Sequence, residues 1–505
     1  MKNRYDVIII GSGHNGLVAG AYLAKAGLSV LVLEKRDIIG GATLSQKIFP
    51  GFDAAPSVYS YLVSLLPRKI VTDLDLNFEL AKRSIASFTP YVKNGRHDGL
   101  FIDKESFNNL CGSDREYEQY LRFQKLCKIV AEKIWPTMLE PLQSKAEFQK
   151  LFVTDDEKEA WRMIMEEPLG KGIEKYLEND IVRGVVFTDA KIGMDTHPED
   201  TTLLQNRTFL YHIIGQATGE WNVPIGGMGQ LPKQLADIIT THGGEINTAV
   251  SVENIQHGVP NKVITTVDGQ RHEIEADYVL VNAAPLVLEQ LLEGYQAPQT
   301  VTGAVFKINM LVTKLPRLKS GYDPNKAFAG TFHVDEGYEN MRSPKALPGE
   351  MYCHTLADDS ILSEDLRNKG YQTLTFFGLN TPYEMFMADN EEMRKKVLAK
   401  YVEGLNFYLE DKIEDCLAVD SNGHPCIEAK TPIDIEQELG MPRGNIFQGN
   451  LQWPFAESEA EVGQRGVETD FSNIFLCGAG AKRGGGVSGI PGYHAAQAVL
   501  ASKLI

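Results

Sequence analysis

The sequence predicts an α/β protein in which a parallel sheet is assembled from both ends of the chain and a discontinuous α+β unit fills the middle. Three observations lead there. An apolar run, Tyr5-Asp6-Val7-Ile8-Ile9-Ile10, passes at once into Gly11-Ser12-Gly13-His14-Asn15-Gly16; helical periodicity through Leu17, Ala21, Leu23 and Ala24 then stops at Gly27, and a second apolar run closes on Glu34. Near the other end, Asn473 to Cys477 again reads as a strand running into a glycine turn and a helix. Between 112 and 180, apolar positions recur at spacings of three and four, the period of packed helices.

Strand, glycine turn, helix, strand and acid, in that order, make a dinucleotide-binding βαβ unit. Gly11 permits the tight turn out of the strand. Gly13 presents bare backbone to a pyrophosphate, and Gly16 lets the helix close on the strands, with Gly20 extending that contact. The helix start, where His14 and Asn15 are counted as cofactor contacts, offers free N–H groups and partial positive charge to phosphate. Glu34 lies roughly 20 residues past the glycines, where a carboxylate accepts from both ribose hydroxyls; a 2′-phosphate would be repelled there, which argues against NADP.

Directly after the acid comes Arg36-Asp37-Ile38-Ile39-Gly40-Gly41-Ala42-Thr43. An Arg then Gly-Gly at this place is similar to the extended FAD signature of flavoproteins with two dinucleotide-binding domains, and on these residues the chain resembles the FAD-dependent phytoene desaturase and amine oxidase superfamily. The resemblance implies FAD as cofactor. It puts the Gly40-Gly41 backbone near the phosphates and Arg36 at the adenosine end, with Lys35, Ala42 and Thr43 among the contacts. It also implies the fold: an FAD-binding Rossmann-type, glutathione reductase-like domain from 1–75, 220–298 and 465–505, and a substrate domain from 76–219 and 299–464 whose helical part spans about 112–185.

Composition sets outer bounds. At 505 residues and 43% hydrophobic, the chain suits two or three globular domains. A net charge of −17 disfavours nucleic acid as a partner. Six scattered cysteines form no Cys-x-x-Cys pair, so neither a redox disulfide nor a cysteine metal site is expected. No apolar run approaches the ~18 residues of a membrane span, which leaves only peripheral membrane contact open. The first strand begins within a few residues of Met1, leaving no room for a cleavable leader; a cytoplasmic location is expected, or a mitochondrial one without such a leader.

Along the chain, Phe52-Asp53-Ala54-Ala55-Pro56 is similar to a segment that relatives place close to the flavin, with Ala55 where a glycine is usual. Tyr59 to Leu66 reads as core or as a substrate entrance. Helical stretches follow from 115, from Asp155 to Glu167, and from Ile173 to Val185. His212, between apolar neighbours, reads as a packed core histidine. A Gly226-Gly227-Met228 turn leads into a helix from Leu231 to His242, and Ile246 to Val252 reads as a strand; in the superfamily a valine of this strand contacts the adenine, here Val250. Lys262 to Val267 and His272 to Ala276 form a hairpin turning at Asp268-Gly269, and Tyr278 to Asn282 re-enters the first sheet. Ala304 to Val312 and Thr373 to Gly378 alternate like half-buried strands.

Thr431-Pro432-Ile433-Asp434-Ile435-Glu436 through Gly444-Asn445-Ile446-Phe447 is similar to a segment of the phytoene dehydrogenase-related branch, and most resembles the pyridine nucleotide-disulfide oxidoreductase domain-containing protein 2 group. At the C-terminus, Gly478 to Gly480 is a glycine turn, and Gly484 to Gly492 opens a terminal helix. By resemblance that helix start faces the flavin, which brings in Gly480, Gly489 and Ile490; relatives often carry an acid near Gly480 and Ala481, so its side-chain contact is missing here. Lys482-Arg483 reads either as phosphate-facing charge or as a solvated turn.

The leading functional expectation is an FAD-dependent oxidoreductase taking hydride from an apolar substrate, like a carotenoid or phytoene desaturase. Amine oxidation, which favours an aromatic cage and often a lysine near the flavin, is the alternative. A flavin-holding interaction protein with little turnover is the third. No catalytic residue and no metal ligand is assigned, and homo-oligomerisation is left open.

Overall fold

The computed structural model describes residues 2–267 and 269–503. One sheet is built from β1 (Arg4–Ile10), β2 (Val30–Leu33), β3 (Glu245–Asn247), β4 (Ser251–Gln256), β5 (Asn261–Val267), β6 (Gln270–Val281) and β7 (Ile474–Leu476). Its parallel part has the order β3-β2-β1-β6-β7. β5 and β4 continue antiparallel from the first half of β6. β2 and β7 are buried throughout, as strands covered on both faces must be.

Three helices, α1 (His14–Lys25), α2 (Gln230–Thr241) and α3 (Ile490–Ser502), pack against this sheet, with α1 against both of the others. Small residues set how closely they approach. A Cβ added to Gly492 would lie 2.0 Å from the Asn15 carbonyl oxygen, and one on Gly20 would lie 2.8 Å from Ile239 Cδ1.

Two strand readings are corrected. The strand expected from Ile246 to Val252 is two, because Ala249 takes φ 56. Its amide donates to the Arg36 carbonyl and that of Val250 to the Glu34 carbonyl, so the chain leaves one pairing and enters another. The expected His272–Ala276 and Tyr278–Asn282 strands are one continuous strand of 12 residues, β6. Asp277 does not break it, because β1 runs alongside in register from Glu275 to Val281. Of the turn between β5 and β6, Asp268 lies outside the described residues and Gly269 has φ +74.

The second sheet has seven strands in the order Ile427–Lys430, Phe306–Val312, Gln372–Gly378, Gly349–Tyr352, Thr331–Val334, Ser87–Lys93 and Arg96–Phe101. Only the pairing of Thr331–Val334 with Ser87–Lys93 is parallel. One face is apolar: Ile308, Phe376, Met351, Phe332, Phe88 and Phe101 stand opposite one another in register. They share a core with Val397, Tyr401 and Leu405 of the helix Asn390–Tyr408. The strands at Phe306–Val312 and Gln372–Gly378 are not half-buried, as their alternation suggested; both faces are almost wholly covered.

The helical part comprises Arg115–Ile134, Lys145–Lys150, Asp155–Met165, Leu169–Tyr176, Asp180–Lys191 and Leu204–Ile213. The single helix expected from Ile173 to Val185 is broken at 177–179, where Asn179 caps the next helix by accepting from the amides of Ile181 and Val182. That next helix closes on the end of the second sheet at Gly184, whose added Cβ would sit 1.7 Å from the Glu336 carbonyl oxygen. The segment from Thr431 folds as a helix, Pro432–Leu439, because Thr431 and Asp434 form a reciprocal capping box and Gly440 ends it at φ 66. Among the described residues no helix is long and apolar enough to cross a membrane.

Gly492→Ala, which forces α3 off α1, is expected to cost about 1–3 kcal/mol. A lowered urea midpoint with reduced FAD content is the expected result; an unchanged midpoint would mean that the two helices separate freely.

Candidate active site

A cavity of about 890 Å³ lies between the two sheets and the helical part. Its first part is walled by Gly11, Gly13, His14, Asn15, Glu34, Lys35, Arg36, Gly41, Ala42 and Val250. The sequence-predicted Gly16, Thr43, Gly480, Gly489 and Ile490 are not in that wall. A Cβ on Gly16 would lie 2.5 Å from the Gly11 carbonyl oxygen, and Thr43 Oγ1 donates to the Gly40 carbonyl. Gly480 sits against Pro285 and Gln448, Gly489 against Val18, Ile70 and Leu66, and Ile490 in the core of the helical part.

Glu34 organises this end. It is 6% exposed. Its Oε2 accepts from the Ser12 amide and hydroxyl, both at 2.8 Å, and its Oε1 from the Arg36 amide at 3.0 Å. A carboxylate has about four acceptor sites, so one remains for a ribose hydroxyl. Gly13 pairs with Gly40 as an isolated parallel bridge, which brings both glycine turns together.

The residues present fit FAD. Buried polar atoms without a protein partner cluster on this wall: His14 Nε2, Asn15 Oδ1, Arg36 Nη1 and Gln448 Oε1. Each is a donor or acceptor that a dinucleotide's phosphates, sugar and ring would satisfy. Burial pushes the His14 imidazole down to about 4, so it is neutral near pH 7. Several wall residues escaped the sequence reading: Asn282 and Ala283 after β6, Ala479, Gln448, Gly486 and Val487. The terminal glycine run signalled the last pair, but not which of its residues meet the cavity. Asn282 is a closing piece, its Nδ2 donating to the Gly11 carbonyl at 3.1 Å.

Lys482 and Arg483 are neither phosphate-facing nor a solvated turn. Both are buried. Lys482 Nζ pairs with Glu457 at 3.2 Å and Glu461 at 2.7 Å, while Arg483 donates to the carbonyls of Pro454 and Glu140. They tie the turn after β7 to the second unit.

The cavity continues past Tyr61 to the second sheet. His212 lines it, so this histidine is not simply core; its Nδ1 lies 2.8 Å from the Thr208 carbonyl oxygen and its ring stacks near Trp221. The face of the sheet turned to this space is polar. Lys307 stands opposite Phe377, Phe377 opposite Glu350, and Glu350 opposite His333. Lys307 Nζ donates to Thr375 Oγ1 at 2.8 Å and lies 4.3 Å from the centre of the Tyr61 ring. Burial drives its ammonium well below the ordinary lysine value. Burial raises the Glu350 carboxyl to about 8 and lowers His333 to about 3.

Two predictions follow from this geometry. Glu34→Ala orphans three donors and removes the acceptor left for a ribose hydroxyl. Each buried donor costs about 1–3 kcal/mol, so at least a tenfold rise in the Kd for FAD is expected by ultrafiltration; an unchanged Kd would place the ribose elsewhere. Glu350 binds its proton more tightly folded than unfolded, from an ordinary 4.5 to about 8. Its contribution to stability is therefore full below pH 4.5 and is lost as pH rises through 8. Glu350→Gln should flatten that part of the stability profile, read from urea midpoints; an identical slope in wild type and variant would assign the proton elsewhere.

Comparison with known proteins agrees with this geometry. The family model described as flavin containing amine oxidoreductase matches residues 16–398. An uncharacterized protein of Mycobacterium tuberculosis is 42% identical over 98% of this chain and 97% of its own. The pyridine nucleotide-disulfide oxidoreductase domain-containing protein 2 of Rattus norvegicus is 27% identical over 99% of this chain and 94% of its own. The fold is similar to that of cyclohexylamine oxidase from Brevibacterium oxydans, with a TM-score of 0.60, 15% identity and 99% of both chains covered. With its FAD signature set in a Rossmann-type sheet, the chain belongs to the flavin containing amine oxidoreductase family and is an FAD-dependent oxidoreductase.

Proposed function

We propose that the protein dehydrogenates a C–H bond of an elongated, mostly apolar substrate, in the manner of a carotenoid or phytoene desaturase. Bound FAD supplies the two-electron hydride acceptor. The observation that carries this reading is the continuity of the cavity: the same space that begins at Glu34 and Val250 extends to Val186, Ile192, Phe209, Ile213 and Phe447. Those side chains exclude water and align an apolar body against the cofactor end, the kind of positioning that catalyses hydride transfer. Unpaired cysteines support a reducing compartment, the cytoplasm first and the mitochondrion second.

Amine oxidation is the second reading. The observation that favours it is Lys307, buried beside Tyr61 with Tyr352 and Phe377 within ring-contact distance of Tyr61.

Mass spectrometry of everything released from the denatured protein, paired with anaerobic mixing of the FAD-loaded protein with phytoene or with octylamine, separates the two. FAD released together with a long apolar molecule, and bleaching of the oxidised flavin by phytoene, is expected. Bleaching by octylamine alone moves the reaction to the second reading. Absence of FAD overturns both.

A further inference from the structure

The second sheet poses a problem that the desaturase reading leaves unsolved. Both its faces are buried, yet one is polar. Lys307, Glu350 and His333 are each 4% exposed or less. Burying such groups costs several kcal/mol unless they are hydrogen-bonded or paired. An apolar substrate alone would leave them facing hydrocarbon.

Their protein partners are incomplete. His333 Nδ1 lies 2.7 Å from Thr89 Oγ1, and its Nε2 is 3.5 Å from Glu336 Oε2. Glu336 Oε2 accepts from Thr188, but its Oε1 is buried and without a partner. Glu350 meets two phenols, the Tyr61 hydroxyl at a long 3.5 Å and that of Tyr352.

One turn of helix past Gly184 brings a further acid to the same chamber. Asp189 lines the cavity beside Thr188. The charges of His212 and Arg83 act on it from a distance, and among the described residues its carboxylate accepts no hydrogen bond. Arg83 is itself committed, donating to the Trp221 carbonyl at 2.9 Å and to Thr331 Oγ1 at 2.8 Å. The chamber thus presents an acceptor lacking a donor.

We propose that Asp189, on the helix Asp180–Lys191, and Glu350, on the strand Gly349–Tyr352, which both line the chamber, form a head-group site that takes a hydrogen-bond-donating end, hydroxyl or ammonium, of an otherwise apolar substrate. The inference rests on the apolar-substrate reading and narrows it to an amphipathic molecule. The polar face of the sheet holds the head, and the helical part encloses the chain. A substrate lacking the donor leaves a buried acceptor unpaired, which is the strongest basis for rejecting a close analogue.

Isothermal titration of the FAD-loaded protein with 1-octanol, octylamine and octyl methyl ether tests this. The ether keeps an acceptor oxygen and the chain but has no donor. At least one of the first two should bind about tenfold or more tightly than the ether. Whichever prevails identifies the head as hydroxyl or ammonium. Asp189→Leu should abolish the preference while FAD content is retained, and Glu350→Gln should reduce it. Should Asp189→Leu fail to fold, Asp189→Asn, which removes the charge and keeps the size, should weaken octylamine or 1-octanol relative to the ether. Equal affinity for all three ligands, or a preference surviving every Asp189 variant, overturns the head-group site and leaves the apolar-substrate reading standing. Failure of all three to bind removes both.

Discussion

The cofactor end depends on one buried carboxylate. Glu34 follows β2, and its side chain holds the Ser12 turn while its carbonyl accepts the Val250 amide. Three segments far apart in sequence therefore converge on one residue: the first glycine turn, the Arg36 loop and the entry into β4. The amides of Ser12 and Arg36 and the Ser12 hydroxyl all donate to the Glu34 side chain. The acid placed to accept from a ribose is thus also structural. Its role in the fold explains why it is buried rather than held out on a loop.

The second sheet follows a different rule. Its apolar face stabilises the protein in the ordinary way, through aromatic contacts such as Phe88 with Phe101 and Phe376 with Tyr401. Its other face gives up stability. Leucines at the positions of Lys307, Glu350 and His333 would pack more cheaply against an apolar chamber, because replacing buried ionisable groups by apolar ones is commonly neutral or stabilising. Residues that break the local rule without a compensating gain mark functional sites. Here they fall in one transverse row, with Phe377 between Lys307 and Glu350.

How far the sequence reaches depends on how local the information is. The βαβ unit at the N-terminus was legible because its signal is contiguous: period, glycines and acid within one short stretch. The terminal glycine run was legible as a motif, but Gly486 and Val487 rather than Gly489 and Ile490 meet the cavity, since a motif does not say which of its residues turn inward. The break at Ala249 was invisible, because a left-handed alanine is imposed by the Glu34 and Arg36 carbonyls and not by local propensity. Lys482 and Arg483 were misread for the same reason: their partners Glu457, Glu461, Pro454 and Glu140 lie on other segments. The polar row was the least legible part. Alternation in Phe306-Lys307-Ile308-Asn309 says that two faces differ, and cannot say that the polar one is buried against a cavity.

That geometry also ties binding to folding. The cavity wall takes residues from the first glycine turn, the helix at Asp189, the strands at Lys307 and Glu350, the Thr431 helix and the terminal glycine run. No contiguous piece encloses it, so the wall closes only after pairings of large sequence separation have formed, which is slow and entropically costly. A ligand that touches several of these segments binds the folded state alone and stabilises it by mass action. FAD would act on the segments around Glu34, and an amphipathic substrate on the helix at Asp189 and the second sheet, so the two ligands would brace different parts of one wall.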